Sequence, residues 1–124
     1  MNNIRQLLNL RFQLGYNKYK SGVKIGNDMS KYTVSGEDSY IDMQIEELLD
    51  AMIYTAAAKL RYMSREGKYT QHSTDDNARI LREIVNSTVD GGDKHIVKFN
   101  AIITNLITLF KQTMELKSDL KLED

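Results

Sequence analysis

Apolar residues recur three and four positions apart through most of this chain, which is the spacing of amphipathic helices. The first such segment follows Asn2 and Asn3, either of which can serve as an N-cap, and predicts a helix over residues 3–20. The second segment begins near residue 37 and predicts the longest helix of the chain, ending at about Arg65.

The second half of the chain predicts two more helices. Ser73-Thr74-Asp75-Asp76 has the form of a capping box for a third helix, which we expect to end at Gly91-Gly92. A fourth helix starts at Asp93, and we expect its tail, residues 117–124, to be frayed.

Residues 23–36 alternate weakly between apolar and polar positions and predict a loop or a small hairpin. No proline interrupts the chain, so long helices joined by short loops are favoured. The fold class predicted is all-α, an antiparallel helical bundle of about four helices that forms one domain over residues 1–124.

Composition narrows the possible functions. The 124 residues include 17 basic and 17 acidic side chains, so the formal net charge is zero and nothing recruits nucleic acid or an anionic membrane. The absence of cysteine excludes disulfides and thiolate metal sites. We expect a soluble, cytoplasmic protein that would occupy the host cytoplasm if it is viral, with no nucleic-acid or membrane partner.

Three carboxylates lie close together in the second predicted helix. At 100° per residue, Glu46, Glu47 and Asp50 fall within a stripe about 100° wide, which also contains Tyr54 and Arg61. The opposite arc of the helix carries the apolar residues, and we interpret the helix as buried or half-buried on nearly all sides, with the acids facing an internal cleft or a subunit interface. A homodimer or larger homo-oligomer would cover such a helix.

The spacing of these acids suits a hard cation. Glu47 and Asp50 are three apart and Glu46 and Asp50 are four apart, so either pair can converge on Mg²⁺, which needs one or two carboxylates plus phosphate oxygens and water. The alternative is that Glu46 and Glu47 form ion pairs across helices, with cations such as Arg61, Arg11 or Lys18 as partners.

Basic and aromatic side chains in the first helix suggest a nucleotide site. Cations hold phosphates and rings stack on bases. The candidate nucleotide contacts are therefore the basic and aromatic residues in and just after the first helix, together with a tyrosine and an arginine on the same helix face as the three acids. They are Arg11, Tyr16, Lys18, Lys20, Tyr54 and Arg61. The alternative is that the lysines coat a solvated face and the tyrosines pack in the core. No zinc spacing and no nucleophile motif is present.

Two stretches carry a resemblance to a known family. RFQLGYNKYKSGVKIGND, followed after a polar loop by DSYIDMQIEELLDAMIYTAAAKLR, resembles small phage-encoded proteins with a Lys-Tyr-rich helix, a Gly-Val loop and an E-E-x-x-D helix. These proteins are similar to the MazG-like, all-α nucleotide pyrophosphohydrolase superfamily. The resemblance covers about half of the chain, roughly residues 10–62.

This resemblance implies an oligomeric bundle in which acids on two neighbouring helices hold Mg²⁺ and a nucleoside triphosphate is cleaved between its α and β phosphates. Glu46, Glu47 and Asp50 match the acidic motif. The superfamily has a second acidic cluster, for which this chain offers only scattered candidates. They are Asp38, Asp42, Asp75, Asp76, Glu83 and Asp90.

Three functions therefore remain open. The first is a Mg²⁺-dependent nucleoside triphosphate pyrophosphohydrolase-like protein of phage type. The second is a non-catalytic phage protein that binds and sequesters a nucleotide or a nucleotide second messenger used in host defence. The third is a structural helical oligomer whose acidic stripe fixes helix register.

Overall fold

A computed structural model describes residues 3–19, 39–67, 76–89 and 91–123. Within these ranges the chain forms four α-helices and no strand. The helices are α1 (Ile4–Tyr19), α2 (Tyr40–Arg65), α3 (Asp76–Asn86) and α4 (Lys94–Glu123). The predicted all-α class is confirmed, and the loop or hairpin predicted for residues 23–36 lies outside the described residues.

The chain divides into two compact units, Met1–Tyr32 and Thr33–Asp124. In the first unit, α1 begins with a reciprocal cap: the Gln6 amide donates to Asn3 Oδ1 at 2.9 Å, and the Asn3 amide donates to Gln6 Oε1 at 3.1 Å. This pair satisfies two amides that the first helical turn leaves without partners. Asn3 is therefore the N-cap of α1, and it is one of the two asparagines predicted for this role.

In the second unit, α2 packs against both α3 and α4. Side chains join the start of α2 to the end of α4, where Lys117 Nζ lies 2.6 Å from Asp42 Oδ1. At the other end of α2, the Tyr62 hydroxyl donates to Asp93 Oδ2 at 2.8 Å, just before α4 begins. Contacts at both ends show that α2 and α4 run antiparallel.

The core of this unit is built from one face of α2. Leu48, Met52, Ala56 and Leu60 are buried there, and Ile103 of α4 is fully buried against this region. These four positions belong to the arc of α2 that the apolar spacing predicts to pack. The same helix leaves large apolar side chains exposed, so the interpretation that α2 is buried or half-buried on nearly all sides is wrong for the single chain. The exposed large apolar side chains of α2 are Tyr40, Met43, Leu49, Ile53 and Tyr54.

Two helix boundaries differ from the prediction. α3 ends at Asn86, well before the glycines, where the backbone bonds become three residues long: the Thr88 amide donates to the Val85 carbonyl at 3.3 Å and the Val89 amide donates to the Asn86 carbonyl at 3.0 Å. Tight turns of this kind are frequent at the end of an α-helix. α4 remains helical to Glu123, so the tail expected to fray from residue 117 is helical through most of its length.

No helix in the described ranges combines the length and the apolar character needed to cross a bilayer.

Candidate functional site

The acidic stripe, Glu46, Glu47 and Asp50, lies on the side of α2 that faces away from the core. All three side chains are exposed, and the buried residues of α2 lie on the opposite face of the helix. The helical repeat that turns Leu48 and Met52 inward therefore turns the acids outward. The prediction that the stripe faces an internal cleft is wrong for the described part of the chain, and the predicted subunit interface remains a prediction.

The carboxylates of the stripe are not neutralised by neighbours in the described residues. No hydrogen bond or ion pair there involves Glu46, Glu47 or Asp50. Arg61 belongs to the same helix, about 16 Å further along its axis than Asp50 at 1.5 Å per residue, which is beyond the reach of an ion pair. The alternative in which Arg61 neutralises these acids within one chain is therefore not realised.

The aromatic and basic candidates on the same helix are also exposed. Tyr54 has 71% of its surface accessible, and Arg61 is exposed about two turns further along. Tyr54 follows Asp50 by four positions, so its ring stands over the helix turn next to the acidic stripe. A single helix face thus presents carboxylates, a phenol ring and a guanidinium in that order.

The candidates on α1 are described only in part. Arg11 is exposed, and none of the described residues forms an ion pair with it. Tyr16 and Lys18 belong to α1, but their side chains are outside the described part, as is Lys20. The assignment of these four residues to a nucleotide therefore stays a prediction.

Two candidates for a second acidic cluster are held by lysines. The Asp42 carboxylate pairs with Lys117, and Glu83 Oε2 lies 2.9 Å from Lys59 Nζ. Asp76 is exposed in the first turn of α3, and the remaining candidates, Asp38, Asp75 and Asp90, lie outside the described residues. In the ranges that the structure describes, no group of three or more histidine or carboxylate side chains is placed to hold a metal ion, so the protein would contribute at most two carboxylates to one ion there.

The most buried charged side chain among the described residues of the second unit was not predicted. The Lys59 side chain is 5% exposed and pairs with Glu83, whose side chain is 16% exposed. Lys59 Nζ also donates to Ser87 Oγ at 3.3 Å, and that hydroxyl donates to the Glu83 carbonyl. The signal was present in the sequence, because Lys59 falls within the apolar arc of α2 and Glu83 lies between Ile80 and Ile84.

A second set of polar contacts fixes the end of α2 against the start of α4. Asp93 caps α4 by accepting the amides of His95 and Ile96 at 2.9 Å through Oδ1, while Oδ2 accepts the Tyr62 hydroxyl. The Tyr62 ring also contacts His95 edge-on, with centroids 5.5 Å apart. The exposed His95 side chain thus lies against the Tyr62 ring at the junction of α2 and α4.

The acidic stripe fits a hard divalent cation in its donor chemistry. Asp50 can pair with Glu46 or Glu47, and two carboxylates with phosphate oxygens and water satisfy the octahedral preference of Mg²⁺. The stripe does not offer the four or so carboxylates that two metals require. The residues present thus suit one ion bound together with a phosphorylated ligand.

No protein-family model matches this chain, and neither the curated proteins nor the solved structures contain a match.

Proposed function

We propose that this protein is a Mg²⁺-dependent nucleotide-binding protein that resembles the MazG-like pyrophosphohydrolases, with Glu46, Glu47 and Asp50 as its metal ligands. The observation that carries the proposal is that three carboxylates at helical spacing lie on one exposed face of α2, with no cation among the described residues to neutralise them. Clustered carboxylates repel one another, so a cation bound there would relieve that repulsion.

Tyr54 and Arg61 extend the same face and supply the other chemistry that a nucleotide needs. The exposed phenol ring can stack on a base. The Arg61 guanidinium lies about 16 Å from Asp50 along the helix axis, so in this proposal it holds a phosphate group of a ligand that reaches past Tyr54 and not the phosphates at the ion. In this proposal Arg11, Lys18 and Lys20 provide further phosphate contacts, and Tyr16 provides a second ring.

In a pyrophosphohydrolase, Asp50 with Glu46 or Glu47 would hold the ion next to the triphosphate, and a remaining carboxylate would orient a water. When bound, Mg²⁺ neutralises phosphate charge and lowers the pKa of a coordinated water, which supplies the nucleophile. A water held by the remaining carboxylate would form a bond to the α phosphorus as the bond from that phosphorus to the oxygen bridging to the β phosphate breaks, so the products would be a nucleoside monophosphate and pyrophosphate.

The contacts of Asp42 and Glu83 favour a second candidate function. Because lysines hold both carboxylates, neither is available to complete a second acidic cluster in the described chain. A protein with one acidic cluster and a nucleotide site can bind a nucleotide, including a defence second messenger, without turning it over. This candidate shares the ligand site and differs only in the fate of the ligand.

The test is nucleotide binding by isothermal titration with and without Mg²⁺, in wild type and in Glu47→Gln and Asp50→Asn variants. We expect each variant to lose Mg²⁺-dependent binding by at least tenfold while keeping its helical circular dichroism, since each substitution removes a charge from an exposed site. Glu115→Gln, which changes an exposed carboxylate of α4, is the matched control and should bind as wild type. Normal binding by both stripe variants would overturn the metal assignment.

A further inference from the structure

α4 carries a second apolar surface beside the one that packs on α2. Its positions alternate three and four apart in seven-residue repeats, which is the pattern of a coiled-coil seam. We call these residues the α4 seam: Phe99, Ile102, Leu106, Leu109, Thr113, Leu116 and Leu120. Six of the seven are apolar, and the pattern spans three heptads, the length at which it indicates a helical partner.

One half of the α4 seam is uncovered. Ile102 and Leu109 are each 48% exposed and Leu116 is 50% exposed, and together they occupy the d positions of the heptads. The a positions, among them Phe99 and Leu106, are partly buried because they border the contact with α2. Evenly spaced half-exposed leucine and isoleucine side chains are typical of a helix that lacks one neighbour.

We propose that the α4 seam is the dimer interface of this protein, where α4 packs antiparallel against α4 of a second copy. With a and d positions facing each other across a two-fold axis, Leu106 meets Leu109 of the second copy, Ile102 meets Thr113, and Phe99 meets Leu116. Each pair occurs twice because the interface is isologous.

The polar residues beside the seam match this arrangement. The g positions are Lys98, Asn105, Gln112 and Asp119, and all four are exposed. In an antiparallel pair, each g position lies opposite a g position of the other helix, so Lys98 meets Asp119 and Asn105 meets Gln112. Opposite charges and complementary amides thus face each other on both sides of the two-fold axis.

A parallel pairing would not use these residues in this way. There the g positions face e positions, which are Ile103, Phe110 and Lys117. Ile103 is fully buried and Lys117 is engaged by Asp42, so neither side chain is available to pair with a g position of a second copy. Lys98 and Asp119 would also lie about 31 Å apart along the axis, at 1.5 Å per residue. The antiparallel orientation is therefore favoured.

The first test is the mass of the full-length protein by sedimentation equilibrium. We expect twice the chain mass of 14.3 kDa or a multiple of that dimer. Leu109→Glu, which places charge in the centre of the seam, should raise the dimer dissociation constant at least a hundredfold. Leu81→Glu changes a leucine of α3 that is 63% exposed and remote from the seam, and it is the matched control.

Charge exchange tests the orientation without risk to the fold, because Lys98 and Asp119 are exposed and neither forms an ion pair within the described ranges. Lys98→Glu alone and Asp119→Lys alone should each weaken the homodimer several-fold. The two variants mixed together should form a heterodimer in preference to either homodimer, since both g–g contacts are then attractive.

Three results would overturn the proposal. A monomeric wild type would exclude the interface, and a monomer destabilised by Leu109→Glu would mean that another segment of the same chain covers the seam. A dimer unaffected by Leu109→Glu would assign the second copy to a different surface. A heterodimer no more stable than the homodimers would exclude the antiparallel pairing.

Discussion

The buried ion pair between Lys59 and Glu83 allows a quantitative prediction about stability. Removing one member of a buried pair leaves the other charge without a partner and costs about 3–5 kcal/mol of the free energy of unfolding. Glu83 keeps 16% of its side-chain surface exposed, so we expect Glu83→Gln to fall at the lower end, at about 3 kcal/mol.

The assay is urea unfolding followed by circular dichroism at a single chain concentration, since a dimer makes stability depend on concentration. With an m-value of about 2 kcal/mol/M, Glu83→Gln should lower the midpoint by about 1.5 M urea. The matched control is Glu66→Gln, which removes a carboxylate from an exposed ion pair. In that pair the Arg65 side chain is 74% exposed and the Glu66 side chain is 42% exposed. That control should change stability by less than about 1 kcal/mol.

A double variant separates charge burial from packing. Lys59→Met with Glu83→Leu replaces both charges by apolar groups of similar volume, and such replacements are often neutral or stabilising. We expect the double variant to be more stable than either single variant. Equal midpoint shifts for Glu83→Gln and Glu66→Gln would refute the reasoning, because they would show that the Lys59 pair behaves in solution as a surface pair.

Two further predictions concern local structure. Gly92 has φ +99°, and a Cβ atom there would lie 2.7 Å from Ile96 Cγ2, whereas Gly67 has φ +72° and a Cβ atom there would have no atom within 4 Å. Gly92→Ala should therefore destabilise the protein clearly more than Gly67→Ala. Thermal unfolding of the two variants measures this difference, and equal losses of stability would contradict the prediction. Lys117→Met removes the ion pair to Asp42 and should speed amide hydrogen exchange in the last two turns of α4, whereas unchanged exchange would show that the pair does not hold this end.

The sequence predicted the helices well where local signals and packing agree. The packed face of α2 follows from apolar spacing, and Leu48, Met52, Ala56 and Leu60 are buried as that spacing requires. The end of α3 was missed because the glycines were the stronger breaker signal, whereas the backbone already forms tight three-residue turns at Thr88 and Val89.

Less of the candidate site than of the fold could be predicted from the sequence. The helical repeat grouped Glu46, Glu47 and Asp50 on one face, but it could not say whether that face meets a core, a second copy or solvent. Lys59 was missed for a related reason, because a lysine in an apolar arc is usually assumed to extend to the surface. Only the packing of α3 on α2 brings Glu83 and Ser87 to its ammonium group.

The most direct test of the proposed function is a mass-spectrometric assay of the full-length protein with a panel of nucleoside triphosphates and cyclic nucleotides plus Mg²⁺. Both the solution and the fraction released by heating the protein should be analysed. The proposal predicts either a monophosphate with pyrophosphate or an intact nucleotide in the released fraction, in each case lost in Asp50→Asn. If neither appears, or if Asp50→Asn behaves as wild type, the assignment of the acidic stripe to a metal-dependent nucleotide site is contradicted.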